Sequence, residues 1–272
     1  RLWMAMSGRW SGLITTPSRI GWTGAGLTHQ GEVRDSNQDA LAIDNDQGLW
    51  VVADGMGGYA GGQIASALAV SSIPEYLRTR STPETIDTDQ PVQPTTILTQ
   101  AVAAAKAAIQ DRITTEPDLG SMGTTVVTAW FQSDPQPSMV IAHVGDSRAY
   151  LIRNSQLVAL TRDHSLVQQL LDKGEITVEE AWDHPKRNVI VRALGSRFPS
   201  TPDTAVHTLE PDDRILLCTD GVTKMLTDHQ ILATILEYQQ HPEEACRHLI
   251  DRANAAGGFD NITVLLITPH VS

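Results

Sequence analysis

Apolar residues recur along the chain in short runs that end at an aspartate. The clearest run, residues 49–53 (Leu-Trp-Val-Val-Ala), stops at Asp54 and is followed by a glycine-rich turn, residues 55–62. A short, β-branched run bounded by glycines predicts a buried strand. A carboxylate at the end of such a strand is costly to desolvate unless a partner, such as a hard divalent cation, neutralises it.

The same arrangement recurs at three other places. Apolar runs at 139–144 and 214–219 lead to Asp146 and Asp220, and Asp260 precedes the run at 262–267. The end of one antiparallel strand lies beside the start of the next, so all four aspartates are expected at one end of the sheets. Each aspartate alone is also explained as a turn residue. Together, four close carboxylates repel one another unless a metal ion binds them.

The remaining pattern predicts a layered α+β domain. Apolar residues at helical spacing predict helices over 63–80 and 95–113, and signals for helix starts and ends predict helices over 227–239 and 242–255. Further strands are predicted at 23–27, 40–44, 123–131, 149–153, 156–160 and 204–209. Sequential hairpins favour antiparallel sheets, with the helices outside them. Residues 1–22 show no clear period, and we expect an N-terminal extension there, followed by one domain over 23–269.

Composition narrows the classes of function. The formal net charge of −12 argues against a nucleic-acid or anionic-membrane surface. No apolar stretch approaches the ~18 residues that a membrane span needs. Cys218 and Cys246 are too few for a disulfide framework. We therefore expect a cytoplasmic monomer with no nucleic-acid or membrane partner.

Six short motifs occur in order between Thr23 and Ile267. They are Arg34-x-x-Asn37-Gln38-Asp39, Val52-Ala53-Asp54-Gly55-Met56-Gly57-Gly58, Met122-Gly123-Thr124-Thr125, Val144-Gly145-Asp146-Ser147-Arg148, Thr219-Asp220-Gly221 and Asp260-Asn261. The set resembles the metal-dependent protein phosphatases (protein phosphatase 2C), and in particular the bacterial single-domain members. The resemblance implies a four-layer α-β-β-α sandwich, in which two antiparallel sheets pack face to face between helices. It also implies a flap at 165–200 and the hydrolysis of phosphoserine and phosphothreonine in phosphorylated proteins.

The resemblance further implies a binuclear Mg²⁺ or Mn²⁺ centre. Asp54 is expected to bridge the two ions, with the Gly55 carbonyl on the first and with Asp220 and Asp260 on the second. Asp146, together with Asp220, is expected to hold a third, weaker ion in the manner of some family members. Asp39 is expected to orient metal-bound water. Oxygen ligands suit hard octahedral ions. Two such ions can lower the pKa of a shared water molecule, so that a bridging hydroxide attacks phosphorus directly.

Arg34 is the expected anchor for the substrate phosphate, because a guanidinium offers forked donors that match phosphate oxygens. The alternative is a surface salt bridge of little energetic value. The flap is rich in basic residues, and we expect it to select acidic or phosphorylated substrate surfaces. These residues are Lys186, Arg187, Arg192 and Arg197.

Two positions depart from family patterns and leave the general acid open. Met56 stands where eukaryotic members carry a histidine, and Tyr59 stands where bacterial relatives often carry one. A tyrosine with an ordinary pKa near 10 is a poor proton shuttle at neutral pH. We expect Tyr59 to contact the substrate, and the proton donor is metal-bound water, Tyr59 or another group.

Two other functions compete with the phosphatase hypothesis. One is a catalytically weak family member that acts as a phosphoprotein-binding scaffold. The other is a two-metal phosphodiesterase or nuclease. Retention of every expected aspartate argues against the first, and the negative net charge argues against the second.

Overall fold

Two antiparallel β-sheets and the helices on their outer sides form the fold. The computed structural model describes residues 20–58, 60–80, 92–195 and 198–271. The strands are β1 (Ile20–His29), β2 (Asp39–Asp44), β3 (Leu49–Met56), β4 (Gly123–Thr124), β5 (Val126–Gln132), β6 (Ser138–Val144), β7 (Arg148–Arg153), β8 (Gln156–Ala159), β9 (Leu194–Gly195), β10 (Asp203–Thr208), β11 (Arg214–Cys218) and β12 (Ile262–Val271). The helices are α1 (Gly61–Arg80), α2 (Pro94–Thr115), α3 (Leu166–Asp172), α4 (Val178–Trp182), α5 (Asp220–Thr223), α6 (Asp228–Glu237) and α7 (Pro242–Ala255), with a 3-10 turn at Pro117–Leu119.

The strands are ordered β1-β12-β11-β7-β8 in the first sheet. In the second sheet the order is β10-β6-β5-β3-β4-β9, and β2 pairs with β3 as a hairpin. Every pairing between named strands is antiparallel. Strand ends carrying aspartates from both sheets therefore meet at one edge of the molecule, as the alternation of strand direction predicts.

The alternating side chains of β3 explain the layered packing. Leu49 and Val51 point outward into a core shared with α1 and α2. Trp50 and Val52 point the other way and pack between the sheets, against Leu265 of β12. A strand whose two faces are both buried is apolar at every position, and this is why its sequence lacks a polar alternation.

A third core cluster closes the opposite side of the sandwich. Leu216 and Cys218 of β11 face Ile231 of α6 and Leu249 of α7. Together with the other two clusters, this packing confirms the expected α-β-β-α sandwich. Both cysteines are buried and free, as small core residues are expected to be. Within the described ranges, no helix has the length and apolar character that crossing a membrane requires.

Two predicted boundaries were wrong. The predicted strand at 123–131 is divided at Thr125 into β4 and β5. The reason is that β4 pairs with the far end of β3 at Gly55, whereas β5 pairs with its beginning at Leu49. The first strand begins at Ile20 rather than Thr23, and residues 1–19 of the expected extension lie outside the described residues.

Candidate metal centre

Five aspartates at five different strand ends lie near one another, and three of them, Asp54, Asp220 and Asp260, line one cleft. Asp54 lies near the end of β3 and pairs in register with Asp39, the first residue of β2. Asp146 follows β6, Asp220 follows β11, and Asp260 precedes β12. Burial raises the pKa of Asp54 well above its ordinary value, and the charges of the other four aspartates raise it further. The four aspartates that the strand pattern predicts to meet, and Asp39 with them, are therefore close neighbours.

Three buried carboxylate oxygens in this cluster have no hydrogen-bond partner. They are Oδ1 of Asp39, Oδ1 of Asp146 and Oδ1 of Asp220. Buried carboxylate oxygens are almost always paired, because leaving one unpaired is costly. A set of ligands made only of oxygen atoms suits hard cations such as Mg²⁺ and Mn²⁺. The residues therefore fit the divalent ions that the motifs imply.

Asp39 is held by two threonine hydroxyls that the sequence reasoning did not consider as its partners. Thr219 Oγ1 donates to Asp39 Oδ2 at 2.9 Å, and Thr263 Oγ1 donates to the same oxygen at 2.7 Å. Burial, together with the nearby charge of Asp220, raises the pKa of Asp39 to about 7. The hydrogen bonds from the two hydroxyls act in the opposite direction, because they favour the ionised form. The two threonines leave Oδ1 directed at no protein donor. Their signal in the sequence is slight, because threonine is common in strands.

The backbone around Asp54 is fixed by the neighbouring strand. Its carbonyl accepts from Thr124 Oγ1 and from the Thr125 N–H, both at 2.9 Å, and its own N–H donates to Thr125 Oγ1 at 3.1 Å. The next residue must be glycine, because a Cβ on Gly55 would lie 2.1 Å from the Gly62 carbonyl oxygen. This close approach is what brings the Gly55 peptide beside the aspartates.

The loop that carries Asp146 is held by two neighbouring residues, Asp163 and His164. Gly145, at φ +110°, donates its N–H to His164 Nδ1 at 3.1 Å. The other nitrogen of that ring, Nε2, lies 3.1 Å from Asp203 Oδ2. Asp163 forms a two-point ion pair with Arg148, with both N···O distances at 2.8 Å. Asp163 and His164 thus position the Asp146 loop.

His143, His164 and Asp203 lie close enough together to suggest a second metal group. Both histidine rings already have partners, however, since His143 Nε2 lies 2.8 Å from the Arg162 carbonyl oxygen. A guanidinium nitrogen of Arg192 lies 3.3 Å from His164 Nε2 and would repel a cation there. We therefore assign the group to positioning of the loop.

Arg34 lies at the rim of the aspartate cluster. Its Nη2 donates to Asp260 Oδ2 at 2.8 Å, and its side chain is 55% exposed. Asn261 braces the loop that carries it, accepting from the Gln38 N–H at 2.8 Å and donating to the Ser36 carbonyl at 2.8 Å. The guanidinium is thereby held at the mouth of the cleft.

The cleft itself has a volume of about 450 Å³. Its wall includes Arg34, Asp54, Gly55, Asp220, Lys224 and Asp260, and the flap contributes Asn188 and Ile190. No histidine is among the described residues that line it, in keeping with the departure seen at Met56. Tyr59, the other position of interest, lies outside the described residues, and its contact with substrate stays a prediction.

The basic residues of the flap are not all directed at the cleft. Arg192 Nη1 lies 2.8 Å from Asp203 Oδ1, and Arg187 Nη1 donates to the Trp182 carbonyl at 2.9 Å. Arg197 lies outside the described residues. Two of the four predicted specificity residues are thus engaged within the chain itself.

Lys224 is the site residue that sequence reasoning missed entirely. It follows α5, and its Nζ contacts Asp220 Oδ2, four residues earlier in the chain. Its side chain is only 19% exposed. An Asp and a Lys at this spacing normally form a weak surface pair, and only burial inside the cluster distinguishes this one.

A sandwich whose strand ends collect carboxylates in an open, polar cleft is the arrangement of a metal-dependent hydrolase. The family model described as protein phosphatase 2C matches residues 24–254. The chain therefore belongs to the protein phosphatase 2C family, as its motifs indicate, and is a metal-dependent serine/threonine protein phosphatase.

Relatives and solved structures agree with this assignment. The serine/threonine phosphatase Stp of Listeria monocytogenes is 38% identical over 246 residues, which are 88% of this chain and 93% of Stp. The phosphatase PstP of Mycobacterium tuberculosis is 37% identical over 245 residues, covering 89% of this chain and 44% of PstP. A crystal structure of the M. tuberculosis enzyme has a TM-score of 0.79 at 33% identity and covers 92% of this chain and 99% of that one. A structure of the PstP catalytic domain with two manganese ions has a TM-score of 0.77 at 32% identity, with the same coverage.

Proposed function

We propose that this phosphatase works through two Mg²⁺ or Mn²⁺ ions held by Asp54, Gly55, Asp220 and Asp260. The observation that carries the proposal is the convergence of carboxylates with buried, unpartnered oxygens, Asp220 Oδ1 among them. The PstP catalytic domain, similar in fold to this chain, was solved with two manganese ions. Two such ions, when bound, lower the pKa of a water molecule and neutralise phosphoryl charge.

The residues of this chain would supply orientation around those ions. Asp54 would bridge them, because the other four aspartates surround it. Asp39, aimed by Thr219 and Thr263, would accept a hydrogen bond from the attacking water and hold it in line with phosphorus. The reaction would then need no covalent enzyme intermediate.

Arg34 would anchor the phosphate of the substrate. Its hydrogen bond to Asp260 engages Nη2, and a guanidinium carries five N–H donors in all. The side chain is half exposed at the cleft mouth, so an incoming phosphate can reach it without an opening of the fold. A forked donor in this position selects a monoester, which presents several phosphate oxygens.

The substrates would be proteins phosphorylated on serine or threonine, selected in part by the flap at 165–200. This is supported by Asn188 and Ile190, which place the flap at the cleft wall. Exchange of Lys186 and Arg187 for glutamate is expected to change the ranking of phosphopeptides by kcat/KM. An unchanged ranking would remove the flap from substrate selection. A monomeric state, a cytoplasmic location and the lack of nucleic-acid or membrane partners stay predictions from composition.

The proposed ligand set is tested by Asp220→Ala, with Asp212→Ala, an exposed aspartate at the opposite end of β11, as the matched control. Activity on p-nitrophenyl phosphate and on a phosphothreonine peptide is measured with Mn²⁺ and after EDTA. We expect EDTA and Asp220→Ala each to reduce turnover at least a hundredfold, and Asp212→Ala to leave it unchanged. Full activity in Asp220→Ala would overturn the metal assignment.

A further inference from the structure

The buried ammonium group of Lys224 lies among the aspartates at the place where a third metal ion is expected. Its Nζ contacts Asp220 Oδ2, whereas Asp220 Oδ1 is buried without a partner. One oxygen of Asp220 thus has a resident cation and the other is available to a metal ion. The Lys224 backbone N–H also donates to the Asp220 carbonyl at 2.8 Å, which keeps the two residues together.

Asp146, the other expected ligand of the third ion, lines one cavity together with Asp220 and Lys224. The positive charge of Lys224 acts on the Asp146 carboxylate, and Asp146 acts in return on Lys224.

Lys224 also separates two cavities. It lines the catalytic cleft with Asp54 and Asp260, and it lines a second cavity of about 390 Å³ beneath the flap with Asp146 and Asp163. Asp220 belongs to both cavities. Lys224 thus lies at the boundary between the two cavities, beside the two aspartates that would share a third ion.

We propose that the ammonium of Lys224, which is paired with Asp220 and lies near Asp146, is the built-in third cation of this phosphatase and takes the place of a third metal ion. The inference rests on the proposed two-metal centre. It replaces the expectation of a third, weaker ion, because a divalent cation between these carboxylates would meet a fixed positive charge a few ångströms away. The lysine is part of the chain, so its positive charge is present at every metal concentration and needs no ion from solution.

Electrostatic balance supports the same assignment. The five carboxylates of the cluster face two cationic side chains, Arg34 and Lys224, among the described cleft residues. Two divalent ions then suffice to neutralise the remaining charge. A third would leave the site strongly positive in an environment where burial strengthens repulsion.

The test counts bound Mn²⁺ ions by native mass spectrometry and by calorimetric titration. The unaltered enzyme is expected to bind two. Lys224→Met, which keeps the aliphatic stem and removes the charge, is expected to bind a third ion weakly, and Lys224→Met combined with Asp146→Asn is expected to return to two. Lys173→Met, which removes an exposed lysine from the flap, serves as the matched control and is expected to bind two.

Two results would overturn the proposal. The first is that the unaltered enzyme binds three Mn²⁺ ions and Asp146→Asn reduces this number to two. The second is that a folded Lys224→Met variant binds only two. If Lys224→Met does not fold, Asp146→Asn decides alone, since the proposal expects this change to leave the count at two. Failure of the two-metal centre itself has a different signature, because the unaltered enzyme would then bind fewer than two ions.

Discussion

Replacing Asp39 by asparagine is expected to change how the stability of the metal-free enzyme depends on pH. Asp39 is buried, and its pKa is raised from 3.8 to about 7 by burial and by the charge of Asp220. The folded state therefore binds more protons than the unfolded state between about pH 4 and pH 7. Stability contributed by this group is lost as the pH rises through that window.

The size of the effect follows from the two pKa values. One pKa unit corresponds to about 1.4 kcal/mol. Between pH 5 and pH 8 the unfolded Asp39 is ionised throughout, whereas the folded group ionises only near pH 7. Integration gives a loss of about 3 kcal/mol in the free energy of unfolding over that interval, which asparagine does not undergo.

Urea denaturation in EDTA at pH 5, 6, 7 and 8 measures this difference. Relative to the unaltered protein, the free energy of unfolding of the Asp39→Asn variant is expected to rise by about 3 kcal/mol between pH 5 and pH 8. Asp172→Asn is the control: hydrogen bonds from Arg162 and Gln168 lower the pKa of Asp172, so it titrates below the window. A constant difference, or one of opposite sign, would refute the account of Asp39. Added Mn²⁺ is expected to abolish the pH-dependent loss, because metal binding selects the ionised carboxylates.

Three further changes have defined outcomes. Gly55→Ala places a Cβ 2.1 Å from the Gly62 carbonyl oxygen, so we expect a lower melting temperature and at least tenfold weaker Mn²⁺ binding, both measured by thermal shift. Arg34→Lys is expected to reduce kcat/KM for phosphopeptides about tenfold, or about 1.4 kcal/mol, mainly through KM; an unchanged KM would contradict the anchor role. Thr263→Val removes the 2.7 Å hydrogen bond to Asp39 and is expected to destabilise the Mn²⁺-loaded enzyme by about 1.5–3 kcal/mol in urea denaturation, whereas no loss would contradict the positioning role.

Local signals explain why most of the site was predictable. A buried strand followed by a carboxylate is visible in the residues themselves, as at Asp54 and Asp220, and antiparallel alternation then places the strand ends together. The sandwich needed the family resemblance as well, because hairpin periodicity alone does not determine how two sheets face each other. The sandwich is confirmed by the three packed clusters of apolar side chains.

The parts that escaped prediction depend on distant residues. Thr219 and Asp39 are 180 positions apart, so nothing local to either residue indicates their hydrogen bond. The break at Thr125 arises from which strand pairs with each half of the segment. Lys224 looks like an ordinary helical partner of Asp220 until its burial is known. Sequence patterns thus identified the carboxylates, and the tertiary structure identified the groups that hold and neutralise them.

The most direct measurement of the central claim is a crystal structure of the enzyme grown with Mn²⁺ and read for anomalous scattering at the manganese edge. The account predicts two peaks within coordination distance of Asp54, one shared with Gly55 and the other with Asp220 and Asp260. Anomalous peaks at other sites only, or no manganese peak in the cleft at millimolar Mn²⁺, would contradict it.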